Sequence, residues 1–254
     1  MNEISLTGLK GKRVLITGAS GAIGSITAEL FGRAGAITGI HYYKNRHAAV
    51  KILKKIEAAN GKAILVKADL LNFRQTSVLI DKFCEEAGGI DILVNCAGGF
   101  SKPANFETLD TKAWHNVLDL NLGSVFFLMR EAFLRMKVKK FGRIINISSV
   151  AAKYGGSPLT AHYGAAKAAV ENLTIFFSRV GAPYNILVNC VRPGVIATEL
   201  HNKFRTENQM KQRISLIPLK RAGTTYDIAM MILFLSSDAG SFITGQIIPV
   251  SGGE

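Results

Sequence analysis

The sequence predicts a doubly wound α/β fold, a three-layer sandwich built on a seven-stranded parallel sheet. Three observations carry this. Short apolar runs alternate with amphipathic stretches along the whole chain, the first run opens directly into a glycine-rich turn, and no Pro/Gly/Ser-rich linker or shift of composition divides the 254 residues. Hydrophobic residues make up 48% of the chain, enough to fill one large core. One domain over residues 1–254 is therefore expected.

The first strand is read over Val14 to Thr17, behind the basic pair Lys12-Arg13. Thr17-Gly18-Ala19-Ser20-Gly21-Ala22-Ile23-Gly24 follows at once, and an amphipathic helix is expected from Ile26 to Ala34. Strand, glycine-rich turn and helix form the context in which backbone N–H groups and a helix N-terminus can face a pyrophosphate. A second strand is expected over Ile37 to Tyr42, then a helix over Ala48 to Ala59, where Val50, Ile52, Leu53 and Ile56 share a broad face and the lysines point outward. Further strands are expected over Ala63 to Lys67, Ile90 to Val94, Arg143 to Ser148, Asn185 to Val191 and Gln246 to Val250. Between them, helices are expected to start near Asn72 and near Asp119. Strands that are apolar nearly throughout suit a parallel sheet covered on both sides.

Several functional classes are excluded or disfavoured. Met1 to Lys10 lacks the basic and apolar regions of a secretory signal. No apolar run approaches the roughly 20 residues needed to span a bilayer, Met230 to Leu235 being a helix core, so no membrane role is expected. Cys84, Cys96 and Cys190 suggest neither a disulfide framework nor a metal knuckle, and a cytoplasmic location follows. The five histidines form no ligand-spaced set, so no metal is expected, and no Gly-x-Ser-x-Gly elbow marks a serine hydrolase.

Chemistry is carried by Tyr163 and Lys167, fourteen and eighteen residues after Ser149. Four positions along a helix place both side chains on one face. A phenol with an unperturbed pKa of about 10 is a poor acid–base group near pH 7. An ammonium about 4 Å away would favour the phenolate by about 4 kcal/mol at an effective dielectric of about 20, so Lys167 is expected to bring Tyr163 into working range. Tyr42 and Arg46 show the same spacing, so spacing alone does not identify the pair.

In order along the chain, Thr17 to Gly24, Asn95-Cys96-Ala97-Gly98, Asn121, Ser149, Tyr163-x-x-x-Lys167 and Pro193-Gly194 resemble the short-chain dehydrogenase/reductase family, a Rossmann-type fold, over essentially the whole length. Two positions depart from the family's pattern: Ala22 stands at its middle glycine, and Cys96 replaces the second asparagine of Asn-Asn-Ala-Gly. The resemblance implies a carbonyl–alcohol interconversion. Tyr163 would exchange a proton with the substrate oxygen, Ser149 would hold that oxygen, Lys167 would tune Tyr163 and bind the nicotinamide ribose, and Asn121 would complete a water relay. Ser148 competes with Ser149, but adjacent strand residues face opposite sides, so only one can enter the site; alignment with the family's second serine favours Ser149.

The resemblance also implies a dinucleotide held by Gly18, Ser20, Gly21, Ala22, Ile23 and Gly24 around the pyrophosphate. Tyr43, Lys44, Asp69 and Leu70 would lie at the adenosine end, Asn95, Ala97 and Gly98 beside the ribose, and Pro193, Gly194, Val195 and Thr198 at the carboxamide. NAD-selective members place an acid at the end of the second strand. His41-Tyr42-Tyr43-Lys44-Asn45-Arg46 offers none, and Lys44 or Arg46 could pair with a 2′-phosphate, so NADP(H) is expected, with NAD(H) as the alternative.

The net charge of +13 includes Lys137, Lys139, Lys140 and Arg143 near one expected helix end. No nucleic-acid-binding module accompanies it, so no nucleic-acid partner is expected. Within the family the chain resembles 3-oxoacyl-acyl-carrier-protein reductases and sugar or polyol dehydrogenases about equally. Lys140 falls where carrier-binding members keep a basic residue, whereas Tyr184 occupies a second such position. Two enzyme readings stand: a carrier-linked 3-oxoacyl reductase, with an acyl carrier protein as partner, and a small-alcohol dehydrogenase. A catalytically silent dinucleotide-binding sensor is the third. A substrate lid is expected over about 195–218, with Leu200, Phe204 and Leu216 apolar, and a homotetramer through the helix bearing Leu173, Ile175, Phe176 and Phe177 and through the C-terminal strand.

Overall fold

The computed structural model describes residues 7–100, 102–198 and 206–254. Seven strands, β1 (Arg13–Thr17), β2 (Ile37–Tyr42), β3 (Lys62–Lys67), β4 (Ile92–Asn95), β5 (Gly142–Ile147), β6 (Ile186–Pro193) and β7 (Ile247–Val250), form one sheet in the order β3-β2-β1-β4-β5-β6-β7. Every pairing is parallel. The connecting helices are α1 (Ala22–Arg33), α2 (Arg46–Ala58), α3 (Arg74–Ala87), α4 (Thr111–Leu118), α5 (Ser124–Lys139), α6 (Val150–Tyr154), α7 (Ala161–Gly181), α8 (Glu207–Ser215) and α9 (Thr225–Ser236).

Alternation along the strands divides the core into two layers. Val14 and Ile16 pack with Ala28 and Phe31 of α1, Ile52 and Ile56 of α2, and Ile228 and Ile232 of α9. Leu15 lies in the other layer with Leu79 and Phe83 of α3, Leu128 and Met129 of α5, and Val170 and Phe177 of α7. Chain order reverses between β1 and β4, and the crevice beyond the strand C-termini at such a switch point is where ligands bind in open α/β sheets.

The expected strands form with small shifts of their ends. β4 begins at Ile92 rather than Ile90, and β6 starts at Ile186 because Asn185 adopts a left-handed φ of 53° after a 3₁₀ turn. α3 begins at Arg74 instead of near Asn72. No helix starts at Asp119. Helix is continuous from α4 into α5 through a π-turn over Asp119–Gly123, a widened turn of the kind common at functional sites.

At the opposite, N-terminal edge of the sheet, the Asp91 carboxylate binds the Arg13 guanidinium at 2.6 and 2.8 Å, accepts from the Arg13 backbone N–H at 2.9 Å, and pairs with Lys139. These bonds outweigh the cost of burial and hold its pKa below the ordinary carboxylate range. Lys139 is therefore committed to the fold, Lys137 sits 4.7 Å over the Tyr184 ring, Arg143 is buried, and Lys140 stands exposed.

Asp91→Ala should cost about 2–3 kcal/mol, the scale for charged hydrogen bonds, and lower the melting temperature by about 4–12 °C for a chain of this size. Glu207→Ala, which breaks only the exposed pair with Lys211, should cost less than about 0.5 kcal/mol. Equal melting-temperature shifts would refute the assigned difference.

Candidate active site

Gly18 leaves β1 with φ +64°, and a Cβ there would lie 2.8 Å from Ala97 Cα. The turn and the segment after β4 are thereby pressed together. A Cβ on Gly24 would collide with the Gly18 carbonyl and lie 2.8 Å from Ala19 Cα. Gly21 is the N-cap of α1 and supplies no side-chain hydrogen bond, so the first-turn N–H groups of Ala22, Ile23 and Gly24 keep the helix's positive end for an outside acceptor. That uncapped end, in a cradle which a Cβ would fill, fits a pyrophosphate. Ala22 is exposed and helical, so replacing the family's glycine costs the fold nothing. Ile23 packs against the core and can offer only its backbone, while Ser20 is half-buried beside it.

Beyond β2 and β3, Tyr43, Lys44 and Asp69 meet. The Tyr43 hydroxyl donates to Asp69, which raises the Tyr43 pKa, and Lys44 Nζ lies 5.2 Å from the Tyr43 ring centroid. Asp69 Oδ1 also accepts from the Leu71 N–H at 3.0 Å, so it shapes this loop instead of capping α3; Leu70 is buried. Tyr42 ends β2 while Arg46 opens α2, so that alternative tyrosine–basic pair does not share a helix.

The residues after β4 divide by direction. Asn95 is buried and donates to Asn146 Oδ1 at 2.9 Å, which takes its side chain into the sheet interior and leaves only its backbone toward the crevice. Thr17 Oγ1 accepts from the N–H groups of Cys96 and Ala97, both at 3.1 Å. Gly98 is exposed, and a Cβ there would stand 2.7 Å from Asn121 Oδ1 and 3.0 Å from Lys167 Nζ. Its missing side chain lets backbone, asparagine and lysine converge.

Ser149, Tyr163 and Lys167 come together at the end of β5. Tyr163 shares a hydrogen bond with the Ser149 side chain, Ser149 Oγ accepts from the Ala151 N–H at 3.1 Å, and Phe100 packs edge-on against Tyr163 with ring centroids 5.4 Å apart. Ser148 turns the other way and donates to Glu171 Oε1 at 2.6 Å, which settles which serine meets the tyrosine. Glu171 in turn holds Arg192 at 2.6 and 2.7 Å, joining α7 to the end of β6 just before Pro193 and Gly194. Gly194 donates to the Val250 carbonyl at 3.1 Å, Val195 is buried and Thr198 half-buried beside them. Leu200 and Phe204 of the expected lid lie outside the described residues.

The expected electrostatics are corrected by this geometry. Lys167 Nζ donates to the Ile147 carbonyl at 2.8 Å and lies 5.7 Å from the Tyr163 ring centroid. Burial dominates both groups. It pushes the Tyr163 pKa up to about 12, against the lowering effect of the Ser149 hydrogen bond, and brings Lys167 down to about 8. Here desolvation outweighs the attraction that the sequence alone suggests. Burial likewise pushes the Cys96 thiol up to about 12. Asn121 is buried in the π-turn. Its amide accepts from the Gly99 N–H at 2.8 Å and donates to the carbonyls of Gly99 at 2.7 Å and Val117 at 2.9 Å. The side chain is a clamp on the loop.

Sequence reasoning did not single out Phe100 or Glu171, which are recognisable only by what they touch. Among the described residues no group of three or more potential metal ligands occurs, and no helix is long and apolar enough to cross a membrane.

The sequence model of a family described as enoyl-(acyl carrier protein) reductase matches residues 18–254. Over 250 residues the chain is 37% identical to a 3-oxoacyl-[acyl-carrier-protein] reductase of Synechocystis sp., covering 98% of each protein. It is 35% identical over 243 residues to the uncharacterised oxidoreductase YgfF of Escherichia coli K12, covering 94% of this chain and 98% of that one. Among solved structures, a short-chain dehydrogenase/reductase from Serratia marcescens superposes with a TM-score of 0.90 at 29% identity, covering 96% of this chain and 98% of that one. A blue fluorescent protein from a metagenomic library, in complex with NADPH, superposes with a TM-score of 0.89 at 27% identity and the same coverage. The chain belongs to the short-chain dehydrogenase/reductase family, whose members are oxidoreductases that use a nicotinamide dinucleotide on small carbonyl or alcohol substrates.

Tyr163→Phe removes the hydroxyl that faces Ser149 and leaves the Gly18 turn untouched. It should lower turnover at least about 100-fold, the usual scale of general acid–base catalysis, with dinucleotide affinity within about threefold of wild type, less than about 1 kcal/mol. More than about a tenth of the wild-type rate in a steady-state assay would remove Tyr163 from the proton transfer.

Proposed function

We propose that this chain is an NADPH-dependent 3-oxoacyl thioester reductase of the acyl-carrier-protein reductase type, working in the direction of carbonyl reduction. The observation that carries the reading is the meeting of Tyr163 with the Ser149 side chain at the end of β5, beside the buried Lys167. With its pKa at about 12, the phenol keeps its proton at pH 7 and is a donor, poised beside the Ser149 hydroxyl. When bound, the dinucleotide supplies the hydride that reaches the carbonyl carbon. Tyr163 gives its proton to the carbonyl oxygen, so C=O becomes CH–OH with hydride and proton both accounted for. Ser149 orients that oxygen. Lys167, with a pKa near 8, is mostly an ammonium at pH 7 and can return a proton towards Tyr163.

Lys44 beside Tyr43, with no acid at the end of β2, supports NADPH over NADH; the carboxylate of Asp69 is engaged by Tyr43 and Leu71. The structural neighbour with NADPH bound is in keeping with this reading. For the substrate, the Synechocystis relative favours a 3-oxoacyl group. Apolar side chains exposed near the crevice agree: Phe106 and Leu159 lie on two loops joined by backbone hydrogen bonds of 2.9 and 3.0 Å just before α7, and Leu216 and Leu219 follow α8. Because these exposed groups are apolar, the small-alcohol reading ranks second.

The basic segment Lys137–Lys140 lies at the far end of β5 from this chain's own site. It precedes β5, whereas Ser149 follows it, and six strand residues span about 20 Å. Assembly as a homotetramer would bring other copies closer. The exposed Ile175, Phe176 and Val180 on α7 support self-association.

Oxidation of NADPH should be supported by a 3-oxoacyl thioester and not, at comparable kcat/KM, by sugars or polyols. Lys44→Glu should shift the kcat/KM ratio of NADPH to NADH towards NADH by about tenfold or more, about 1.4 kcal/mol for a lost charge-assisted contact. A polyol as the better substrate, or an unchanged cofactor ratio, would overturn the corresponding half of the proposal.

A further inference from the structure

The residue that fixes the glycine-rich turn is not in the turn. His41, the fifth residue of β2, is buried, and three bonds radiate from it. Its Nδ1 accepts from the Gly18 N–H at 3.0 Å, its Nε2 lies 3.2 Å from the Ala68 carbonyl, and its own carbonyl accepts from the Ala19 N–H at 3.0 Å. A backbone N–H can only donate and a carbonyl can only accept, so the partners assign the tautomer: Nε2 carries the hydrogen and Nδ1 the lone pair. Burial lowers the ring's pKa to about 4, in keeping with a neutral imidazole.

The consequence for the turn is specific. The N–H groups of Gly18 and Ala19 are consumed inward, and that of Gly21 is consumed by the Gly18 carbonyl at 2.9 Å. The donors left at the uncapped start of α1 are those of Ala22, Ile23 and Gly24. Gly18 is held at its left-handed φ against Ala97, and the same ring is tied to Ala68, the residue before Asp69. One imidazole therefore couples the pyrophosphate cradle to the loop carrying Asp69 and its Tyr43 partner.

We propose that His41 is a positioning residue for the dinucleotide: its ring acts as a double-ended strut that orders the Gly18–Gly24 turn before the cofactor arrives and sets its distance from the Asp69 loop. It acts through Gly18 and Ala68 and need not touch the ligand. The inference rests on the dinucleotide reading above and goes beyond it by assigning affinity to a buried side chain behind the site. A non-polar replacement leaves both the Gly18 N–H and the Ala68 carbonyl unpaired in the core, and unpaired buried groups cost about 1–3 kcal/mol each.

The test compares His41→Leu, His41→Asn and His41→Gln. The asparagine amide oxygen can take the place of Nδ1 and accept from Gly18; the glutamine amide nitrogen can take the place of Nε2 and donate to Ala68, leaving Gly18 without an acceptor. Titrating NADPH by nicotinamide fluorescence should show binding weakened about tenfold or more in the leucine and glutamine variants. The asparagine variant keeps the Gly18 end and loses only the Ala68 end, so its binding should be weakened less, by about threefold. Because Ser149, Tyr163 and Lys167 are untouched, kcat at saturating NADPH and the KM for the carbonyl substrate should remain within about twofold in all variants that fold. Should the leucine variant fail to fold, the contrast between asparagine and glutamine decides. Equal affinity in those two variants, or a fall in kcat with unchanged NADPH affinity, would overturn the strut. A wild-type chain that bound neither NADPH nor NADH would overturn the dinucleotide reading as well, which separates the two failures.

Discussion

The burial of the Lys167 ammonium is the constraint on which the site depends. A charged lysine in a protein interior loses its hydration, and the interior must return part of that loss through hydrogen bonds and shape. Here the return comes from the Ile147 carbonyl at the end of β5, from the exposed Gly98 backbone alongside, and from the π-turn that brings Asn121 to the same spot. Each requires the others. A side chain at Gly98 would occupy the space of Nζ, and without the clamp of Asn121 on Gly99 the loop would be free to move away. Burial makes Lys167 a more acidic ammonium than a free lysine and makes Tyr163, half-buried beside it against Phe100, a more weakly acidic phenol. Such a phenol is a weaker acid than a free tyrosine, so its proton moves only when the carbonyl oxygen has gained enough charge to become the stronger base.

The rest of the fold serves to bring four strand ends into register. Thr17, Asn95, Asn146 and Cys190 lie side by side across the sheet, and the residues that follow them supply the turn, the Gly98 loop, Ser149 and Pro193. Two polar links stop these ends from sliding. Thr17 binds the backbone after β4, and the Ser148–Glu171–Arg192 chain ties β5 and β6 to the helix that bears Tyr163. At the far edge of the sheet, Asp91 fastens β1, β4 and α5 through Arg13 and Lys139. Charge that looked available for a partner is in part spent there.

The architecture was legible in the sequence because its cause is local and periodic: unbroken apolar runs can only be covered parallel strands, and the turn between the first run and the first helix needs Gly18 and Gly24 for reasons visible in the spacing. Ser149, Tyr163, Lys167 and Gly98 were legible as an ordered set of motifs, and the structure brings them to one place. What was not legible depends on direction and on depth. Asn121 seemed to open a helix but lies in a π-turn, since an i to i+5 widening leaves no periodic mark. Tyr163 was expected to be acidified by its lysine, yet burial, which a sequence does not display, reverses the shift. The Lys137–Lys140 cluster read as one surface, whereas Asp91 and Tyr184, distant in sequence, each take one of its lysines. His41 belongs to the same class: its partners are 23 and 27 residues away.

The central claim is that the site holds Tyr163 as a neutral phenol, with desolvation outweighing the neighbouring ammonium. It is tested most directly by carbon-13 NMR of the tyrosine Cζ positions across a pH titration from about 7 to 10.5, a window around the unperturbed phenol value, with the Tyr163 resonance assigned by its absence from Tyr163→Phe. The account predicts that exposed tyrosines move towards the phenolate shift by the top of that range while Tyr163 does not. A Tyr163 resonance that titrates with a midpoint below about 9 would contradict it, and would return the site to the reading in which Lys167 acidifies the tyrosine.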